Sequence, residues 1–370
     1  MVSIVLPTYN REKYIRYSID SIINQSFKQW ELIVVDDCST DSTPDILREY
    51  EKSDSRIKII RNEENKRLPV SLNIGFSYAT GDYLTWTSDD NMYKPNALQM
   101  MHNYLENSNE IMVCAKMIVI DDSGNRISPH YLENIKYDDD RIYFDNLVGA
   151  CFLYRREVLE TIGEYNAKMF CMEDYEYWLR IQKRYKTIGY IEEQLYYYRL
   201  HDTSLTETKE TRIANLVYQL RIDTLEYLID NNLNKPLALC ALYCAMLARK
   251  NDMLFDIRKK IIKLVPELQI LNNDYKTDEK YIVYAAGEYG RKTKKILGDQ
   301  VEYFADNNPE LIGTIVDGIQ VISVDEMIDK QNEYRICIAF RNEKIYQILK
   351  YLYDNGCIGC MSSYHFFESL

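Results

Sequence analysis

The sequence has no run long and apolar enough to cross a membrane, and it has no excess of positive charge. A membrane-spanning helix needs roughly 18 consecutive apolar residues, and no stretch of the 370 residues approaches that length. The net charge is −12, so a basic surface that would attract a nucleic-acid backbone is not expected. The N-terminal MVSIVLPTYN lacks the basic segment and long apolar core of a secretion signal. We therefore expect a cytoplasmic protein that does not bind nucleic acid.

Cysteine is present, but not in a pattern that indicates disulfides or zinc. The nine cysteines are scattered and odd in number, which favours reduced thiols and again a cytoplasmic location. Cys357 and Cys360 have CxxC spacing, but no second pair or histidine tract accompanies them to complete a zinc site. We therefore favour a buried pair over a metal site.

The first part of the chain alternates between strand-like and helix-like patterns. Apolar runs at 2–9, 30–35, 56–62 and 82–88 are each separated by segments in which apolar residues recur at helical spacing. This order predicts parallel βαβ units and an α/β fold. Ligands bind beyond the carboxyl ends of the strands in such sheets, so the polar residues there are the candidates for function.

The pattern changes twice further along the chain. From about residue 206 it is all-helical, and at about residue 280 a strand, a Gly-containing turn and a helix begin again. We predict a catalytic α/β domain at 1–205, a helical connector at 206–277 and a smaller α/β domain at 278–370.

The smaller domain begins with a variant of the dinucleotide-binding turn. Ala285, Gly287 and Gly290 in YAAGEYGRK give the spacing AxGxxG between a strand and a helix, and Asp306 ends the next strand. The region resembles small Rossmann-like domains of nucleotide-sugar-modifying proteins. Because it is short, lacks the first glycine and offers no hydride-transfer partner, we favour a binding, scaffolding or oligomerisation module over a dehydrogenase.

Two adjacent carboxylates follow the apolar run at 82–88. Asp89 and Asp90, in WTSDDNMYKP, repel each other unless a cation or another partner relieves the charge. Mg²⁺ and Mn²⁺ often bind through one or two carboxylates and the phosphates of a substrate. The alternative is a solvated turn marked by Asn91 and Pro95.

Several ordered motifs favour the first interpretation. The stretches VSIVLPTYNREKYIRYSIDSIINQSFKQWELIVVDDCSTDST and ATGDYLTWTSDDNMYKPNAL resemble the family 2 glycosyltransferases of the GT-A fold, over about residues 1–205. The resemblance implies that Pro7, Thr8 and Tyr9 face the donor nucleotide and that Asp37 accepts a hydrogen bond from a uracil or thymine imide. Arg67 then matches a position near the base and phosphates, with a solvated helix start as the alternative.

The resemblance also implies a metal site. Asp89 and Asp90 correspond to the DxD-like element of the family, with Asp90 as the leading ligand of Mn²⁺ or Mg²⁺ and Asp89 nearer the ribose or supporting the ligand. His201, in YYYRLHDTSLT, matches a histidine that can reach the metal or the diphosphate. A structural role for His201 is the alternative.

The acidic pair Glu173 and Asp174 resembles the catalytic-base motif of the family. Asp174 is the expected base and Glu173 is expected to aid acceptor binding, whereas the alternative for both is favourable placement at a helix N-terminus. Trp178 is expected near the acceptor, with a core position as its alternative. The acceptor loops are expected within 115–172, where His130 either approaches the acceptor or lies in a surface loop.

The resemblance thus implies an inverting, metal-dependent transferase. It would move a sugar from a UDP-sugar, or a dTDP-sugar, to a glycan or lipid-linked glycan in surface polysaccharide synthesis. A processive synthase would carry a QxxRW motif, and this sequence has none. Transfer of one sugar or a few is therefore expected. The alternatives are a nucleotide-sugar- or NAD-binding regulatory protein with an idle transferase site and, less favoured, an NAD-dependent oxidoreductase. Peripheral contact with the inner face of the membrane and self-association through the C-terminal domain are compatible with the sequence.

Overall fold

The protein is described by a computed structural model in which two compact units are distinguished, Met1–Val217 and Tyr218–Leu370. The division at 205 and 277 stays a prediction. The candidate His130 and parts of the connector lie outside the described residues. Among the described helices, none is long and apolar enough to cross a membrane. The structure describes residues 1–127, 137–204, 210–247, 254–265, 278–339, 345–357 and 360–362.

The first unit is built around an eight-stranded sheet with helices packed against it. Its strands are β1 Val2–Thr8, β2 Trp30–Asp36, β3 Ile57–Arg61, β4 Tyr83–Trp86, β5 Met92–Tyr93, β6 Met112–Ile120, β7 Phe152–Arg155 and β8 Gly189–Arg199. Its helices are α1 Ile15–Ile23, α2 Thr43–Ser53, α3 Leu68–Ser77, α4 Ala97–Glu106, α5 Arg156–Ile162 and α6 Glu173–Tyr185, with 3₁₀ turns at Arg141–Tyr143 and Ala167–Met169.

The strand order brings several loops to one edge of this sheet. The order is β3-β2-β1-β4-β7-β6-β8-β5, and β1 runs parallel to both β2 and β4. Strand β7 is antiparallel to both β4 and β6, so β4 and β6 run in the same direction. Strand β8 is parallel to β6. The carboxyl ends of β1, β2, β4, β6 and β8 therefore share one edge, which we call the carboxyl edge. The parallel βαβ architecture predicted from the sequence is confirmed.

The buried strands of this sheet leave little room for the helix above them. Every residue of β1 is buried, as expected for a parallel strand covered on both faces. Helix α3 crosses β1 and β2 at Gly75, where an added Cβ would lie 2.3 Å from Val5 Cγ1 and 3.2 Å from Val35 Cγ2. A glycine is therefore required for this approach of helix to sheet.

The second unit is a smaller α/β structure. Helix α7, Glu210–Asp230, begins in the first unit, and the helices that follow are α8 Pro236–Leu247, α9 Leu254–Leu264, α10 Glu288–Leu297, α11 Val324–Asp329 and α12 Ile345–Asp354. The strands are β9 Tyr281–Tyr284, β10 Val301–Asp306, β11 Ile315–Val316, β12 Ile319–Ser323, β13 Arg335–Ile338 and β14 Met361–Ser362. Their order is β11-β12-β10-β9-β13-β14, and only the β11 to β12 pairing is antiparallel among the described pairs.

The predicted Gly-containing turn lies between β9 and α10. A Cβ on Gly290 would lie 1.7 Å from the carbonyl oxygen of Ala285, so the helix packs directly on the turn. The Ala286 N–H donates to Asp306 Oδ2 at 2.9 Å, which gives this carboxylate a structural role at the end of β10. Whether the turn binds a nucleotide stays a prediction.

The CxxC pair lies in the interior of the second unit. Cys357 and Cys360 are both buried, and their sulfur atoms are 3.3 Å apart. Among the described residues, no group of three or more His, Cys, Asp or Glu side chains is arranged to hold a metal. The placement agrees with the favoured interpretation of a buried pair.

We predict that Gly75→Ala lowers the stability of the protein. Alanine has the higher helix propensity, by about 1 kcal/mol, but overpacking a rigid core costs about 1–3 kcal/mol, and the contact with Val5 is severe. We expect a net loss of about 1–2 kcal/mol in urea unfolding followed by circular dichroism. Ser77→Ala, at the exposed end of the same helix, is the control and should change stability by less than about 0.5 kcal/mol. A stabilised Gly75→Ala variant would contradict the packing described.

Candidate active site

The carboxyl edge gathers most of the residues that the sequence singles out. Pro7 and Thr8 end β1, and Asp37 directly follows β2. Asp89 and Asp90 follow β4, and His201 follows β8. Residues far apart in sequence therefore meet beyond the ends of parallel strands, where open α/β sheets bind ligands.

Asp90 and His201 contact each other directly. Asp90 Oδ2 lies 2.9 Å from His201 Nε2, across 111 positions of the chain. The other ring nitrogen, Nδ1, lies 2.9 Å from Thr203 Oγ1, and the ring stacks on Tyr14 with centroids 4.9 Å apart. The imidazole is thus held on three sides, with one nitrogen directed at the carboxylate.

Arg199 fixes the two loops that carry this pair. Its backbone N–H donates to Asn91 Oδ1 at 2.8 Å, and its Nε donates to the Asp90 carbonyl oxygen at 3.0 Å. One guanidinium nitrogen donates to the carbonyl oxygens of Asp121 and Asp122, at 3.1 and 2.9 Å. Arg199 therefore joins the loops after β4 and β6 to the end of β8.

Asp89 faces the loop after β1. One carboxylate oxygen accepts from the Tyr9 N–H at 3.3 Å, and the other accepts from Arg11 Nε at 3.3 Å. Burial raises the pKa of Asp89, and the negative charge of Asp90 raises it further. Sequence reasoning missed Arg11, although a basic residue directly after the PTYN loop was the signal available for it. The Asp90 carboxylate is thus close enough to disfavour the charge of Asp89.

Asp37 is buried and holds the loop that leads to α3. Its Oδ1 accepts from Asn62 Nδ2 and from the Lys66 N–H, both at 2.8 Å, and its Oδ2 accepts from the Arg67 N–H at 2.9 Å. A carboxylate has about four acceptor positions, so little capacity is left for a nucleotide base. The base contact of Asp37 stays a prediction, and its support of this loop is what the structure adds.

Arg67 and Tyr9 present exposed side chains at this part of the surface. Tyr9 is 45% exposed. The Arg67 guanidinium lies 5.6 Å from the centroid of the Phe170 ring, and Arg212 lies 5.7 Å from the same ring. Arg212 also donates to the Phe170 carbonyl oxygen at 3.0 Å. The segment before Glu173 is therefore flanked by two guanidinium groups, of which sequence reasoning missed Arg212.

The acidic pair at 173 and 174 begins helix α6. Glu173 is buried and accepts from the Cys171 N–H at 2.7 Å, whereas Asp174 is half-buried. Asp174 accepts from Asn146 Nδ2 at 2.9 Å and from the Tyr175 N–H at 2.6 Å. Burial raises the pKa of both carboxyl groups, and the charge of Asp174 raises that of Glu173 further. The pair therefore holds a proton more tightly than ordinary carboxylates do.

Trp178 lies in the core of the first unit, as far as the described residues show. It is fully buried, and its ring packs edge-on against Phe152 with centroids 4.5 Å apart. The expectation of an acceptor contact is wrong, because α6 turns this side toward the core. The core alternative is the correct one.

The side chains at the carboxyl edge fit a divalent cation that also binds a substrate. Asp90 and His201 supply one oxygen and one nitrogen at neighbouring positions, and no third ligating side chain joins them in the described part of the chain. Two protein ligands leave most positions of a metal to water and phosphate, as is common for Mg²⁺ and Mn²⁺ sites. This donor set favours a site completed by the substrate over a closed structural one.

Comparison with known proteins identifies relatives of this chain. A family model described as Glycosyl transferase family 2 matches residues 3–163, which include Asp90 but end before Glu173. An uncharacterized glycosyltransferase of Methanocaldococcus jannaschii is 32% identical over 222 residues, covering 58% of this chain and 76% of that protein. WfgD of Escherichia coli, a UDP-Glc:alpha-D-GlcNAc-diphosphoundecaprenol beta-1,3-glucosyltransferase, is 29% identical over 189 residues, covering 50% of this chain and 70% of that protein. The crystal structure of S. aureus TarS 1–349 shares the fold, with a TM-score of 0.51, 19% identity and coverage of 72% of this chain and 81% of that one.

The raised pKa of Glu173 predicts a pH-dependent cost to stability. Between the ordinary carboxyl pKa and the raised one, the folded protein binds more protons than the unfolded chain, so stability falls as pH rises. Glu173→Gln removes this pH-dependent contribution, while the side-chain oxygen of the glutamine can still accept a hydrogen bond from the Cys171 N–H. We expect the variant to gain about 1 kcal/mol or more relative to wild type on going from pH 5 to pH 8, measured by urea unfolding. An equal effect at both pH values would show that the Glu173 carboxyl titrates normally.

Proposed function

Because the chain belongs to glycosyl transferase family 2, and is therefore a glycosyltransferase of the GT-A fold, we propose that it transfers one sugar, or a few, from a UDP-sugar to a hydroxyl of a glycan or lipid-linked acceptor. The proposal rests mainly on the contact of Asp90 with His201 at the carboxyl edge. It brings two potential metal ligands together beside the loop after β1. The acidic pair that begins α6 supplies the second requirement, a base.

The donor nucleotide would lie against the loops after β1 and β2. Tyr9 and Arg67 offer an exposed aromatic ring and an exposed guanidinium group for the base and phosphates. Asp37 has limited capacity for the imide N–H of the base, so its larger part is to hold the Lys66 and Arg67 backbone in place. The named donor of WfgD, UDP-Glc, supports UDP over dTDP here. The sugar itself would be selected by the shape of the pocket.

A divalent cation would be held by Asp90 and His201. When bound, it would offset the negative charge that develops on the departing diphosphate. An imidazole ligand suits Mn²⁺ better than Mg²⁺, which prefers hard oxygen ligands. Asp89, bound by Arg11 and by the Tyr9 N–H, would orient the loop after β1 beside the diphosphate rather than ligate the metal.

Asp174 would act as the base. A sugar hydroxyl is a weak nucleophile, and a carboxylate within hydrogen-bonding reach can remove its proton as it attacks. The oxygen of the acceptor forms the new bond to the anomeric carbon while the bond to the diphosphate oxygen breaks, and the proton passes to Asp174. Attack opposite the leaving group inverts the anomeric carbon. Glu173 is too buried to meet the acceptor directly and would instead support the turn through Cys171.

The acceptor is proposed to be part of a growing surface polysaccharide. The named acceptor of WfgD is a sugar on diphosphoundecaprenol, which supports a lipid-linked glycan. A protein acting on such an acceptor would work in the cytoplasm at the inner face of the membrane. Self-association through the second unit belongs to the same proposal.

Substitutions at the two acidic pairs should have different effects. We expect Asp90→Asn to abolish Mn²⁺-dependent UDP binding, because it removes a charged ligand, and Asp174→Asn to leave UDP binding within about twofold while lowering transfer by about 10²–10⁴-fold. UDP binding is measured by calorimetry with Mn²⁺ or EDTA. Transfer is measured as UDP release from a panel of UDP-sugars with glycoside acceptors.

Asp45→Asn, on the exposed face of α2, is the control and should match wild type in both assays. Loss of UDP binding in Asp174→Asn would contradict the separation of roles. Nucleotide binding without transfer, unaffected by Asp174→Asn, would favour the alternative of a regulatory protein with an idle site.

Binding of Mn²⁺ and of UDP should be coupled. Two protein ligands alone would bind a metal weakly, and the diphosphate of bound UDP would offer further oxygen ligands, so saturating UDP should raise Mn²⁺ affinity by at least about tenfold. The same factor must apply to UDP affinity in Mn²⁺. Electron paramagnetic resonance of free Mn²⁺ gives the first quantity and calorimetry the second. His201→Ala should abolish the coupling, whereas Mn²⁺ binding that is indifferent to UDP would contradict the proposed site.

A further inference from the structure

Asn146 approaches the proposed base from a loop that no motif marks. It lies between the 3₁₀ turn at Arg141–Tyr143 and strand β7, and its Nδ2 donates to Asp174 Oδ2 at 2.9 Å. The residues after it, Leu147 and Val148, are buried. The residue before it, Asp145, forms an ion pair with Arg141 at 3.0 Å. The backbone of Asn146 is therefore fixed on both sides.

The other end of the same amide accepts no hydrogen bond from the described residues. Within that part of the chain, Asn146 Oδ1 is buried and has no hydrogen-bond partner, which is unfavourable for a buried acceptor. Rotating the amide by 180° would turn this oxygen toward Asp174 Oδ2, where an ionised carboxylate would repel it. The observed orientation, with the Nδ2 donor toward Asp174, therefore suits an ionised Asp174.

We propose that Asn146 is a positioning residue that directs the Asp174 carboxylate at the acceptor and favours its ionised form. The inference rests on the proposed role of Asp174 as base. Among the described residues, the other groups that face this carboxylate are the N–H groups of Asp174 and Tyr175, the Glu173 carboxyl and the Tyr165 phenol. Among the described contacts, the side-chain hydrogen bond to Asp174 comes from Asn146. A charge-assisted bond from a neutral amide favours the carboxylate without forming an ion pair that would make it a poor base.

The structure also offers a matched asparagine without this role. Asn73 is half-buried like Asn146, and its amide pairs with the backbone of Tyr165, donating to the carbonyl oxygen at 2.9 Å and accepting from the N–H at 2.8 Å. Both partners of Asn73 are neutral at every pH. Loss of its amide should therefore destabilise the protein equally at all pH values, whereas loss of the Asn146 amide should not.

The test compares Asn146→Leu and Asn73→Leu by urea unfolding from pH 5 to pH 9. Without the Asn146 amide, the ionised form of Asp174 loses a donor, so the destabilisation should grow as pH rises. Asn73→Leu should show a constant effect. In an Asp174→Asn background, the pH-dependent part of the Asn146→Leu effect should vanish. A destabilisation by Asn146→Leu that is constant with pH would overturn the proposal.

The pH dependence of activity provides a second test, which separates failure of the Asn146 proposal from failure of the base assignment. With UDP-N-acetylglucosamine and UDP-glucose as donors, the pH profile of UDP release should move to higher pH in Asn146→Leu. The rate on the acidic side should then fall by about tenfold for every pH unit that the profile moves. UDP affinity in Mn²⁺ should stay within about twofold of wild type. If wild type and Asp174→Asn release UDP at equal rates, the base assignment fails. An unchanged profile for Asn146→Leu, with Asp174→Asn inactive, overturns only the proposal for Asn146.

Discussion

The site depends on the placement of two adjacent carboxylates, Asp89 and Asp90, at the buried end of a parallel strand. Two such groups disfavour each other's charge, and the protein relieves this by giving each a different partner. Asp89 faces Arg11 and the backbone of Tyr9, and Asp90 faces His201. These partners come from the loops after β1 and β8, so satisfying the two carboxylates also brings together the loops that form the proposed donor pocket.

The second acidic pair is surrounded differently, and the difference suits a different task. The described hydrogen bonds of Asp174 come from the Asn146 amide and from backbone N–H groups, all of them neutral, and burial raises its pKa. A carboxylate beside an imidazole is suited to share a cation, whereas one that accepts from neutral donors is suited to take a proton and release it. Two similar acidic pairs can thus serve two steps of one transfer because their neighbours differ.

The sequence allowed the architecture to be predicted because the relevant signals are local. Apolar runs and helical spacing located β1 to β4 and their helices, and the motifs at 7–9, 37 and 89–90 located the loops at the carboxyl edge. Asn146 and Arg212 could not be predicted in this way, because they act through contacts with residues distant in sequence and stand in no motif. Trp178 was misplaced because the resemblance, and not its helical pattern, placed it near the acceptor. Asp37 was located correctly, but its bonds to the loop at 62–67 depend on tertiary structure.

A crystal structure of the full chain grown with UDP and Mn²⁺, with anomalous diffraction recorded at the manganese edge, would show where the metal binds. The proposed site predicts a single strong manganese peak beside Asp90 and His201 and next to the bound UDP, with Asp174 free of metal and facing open space. A manganese peak elsewhere, or UDP bound at the turn after β9 with the carboxyl edge of the first unit empty, would contradict it.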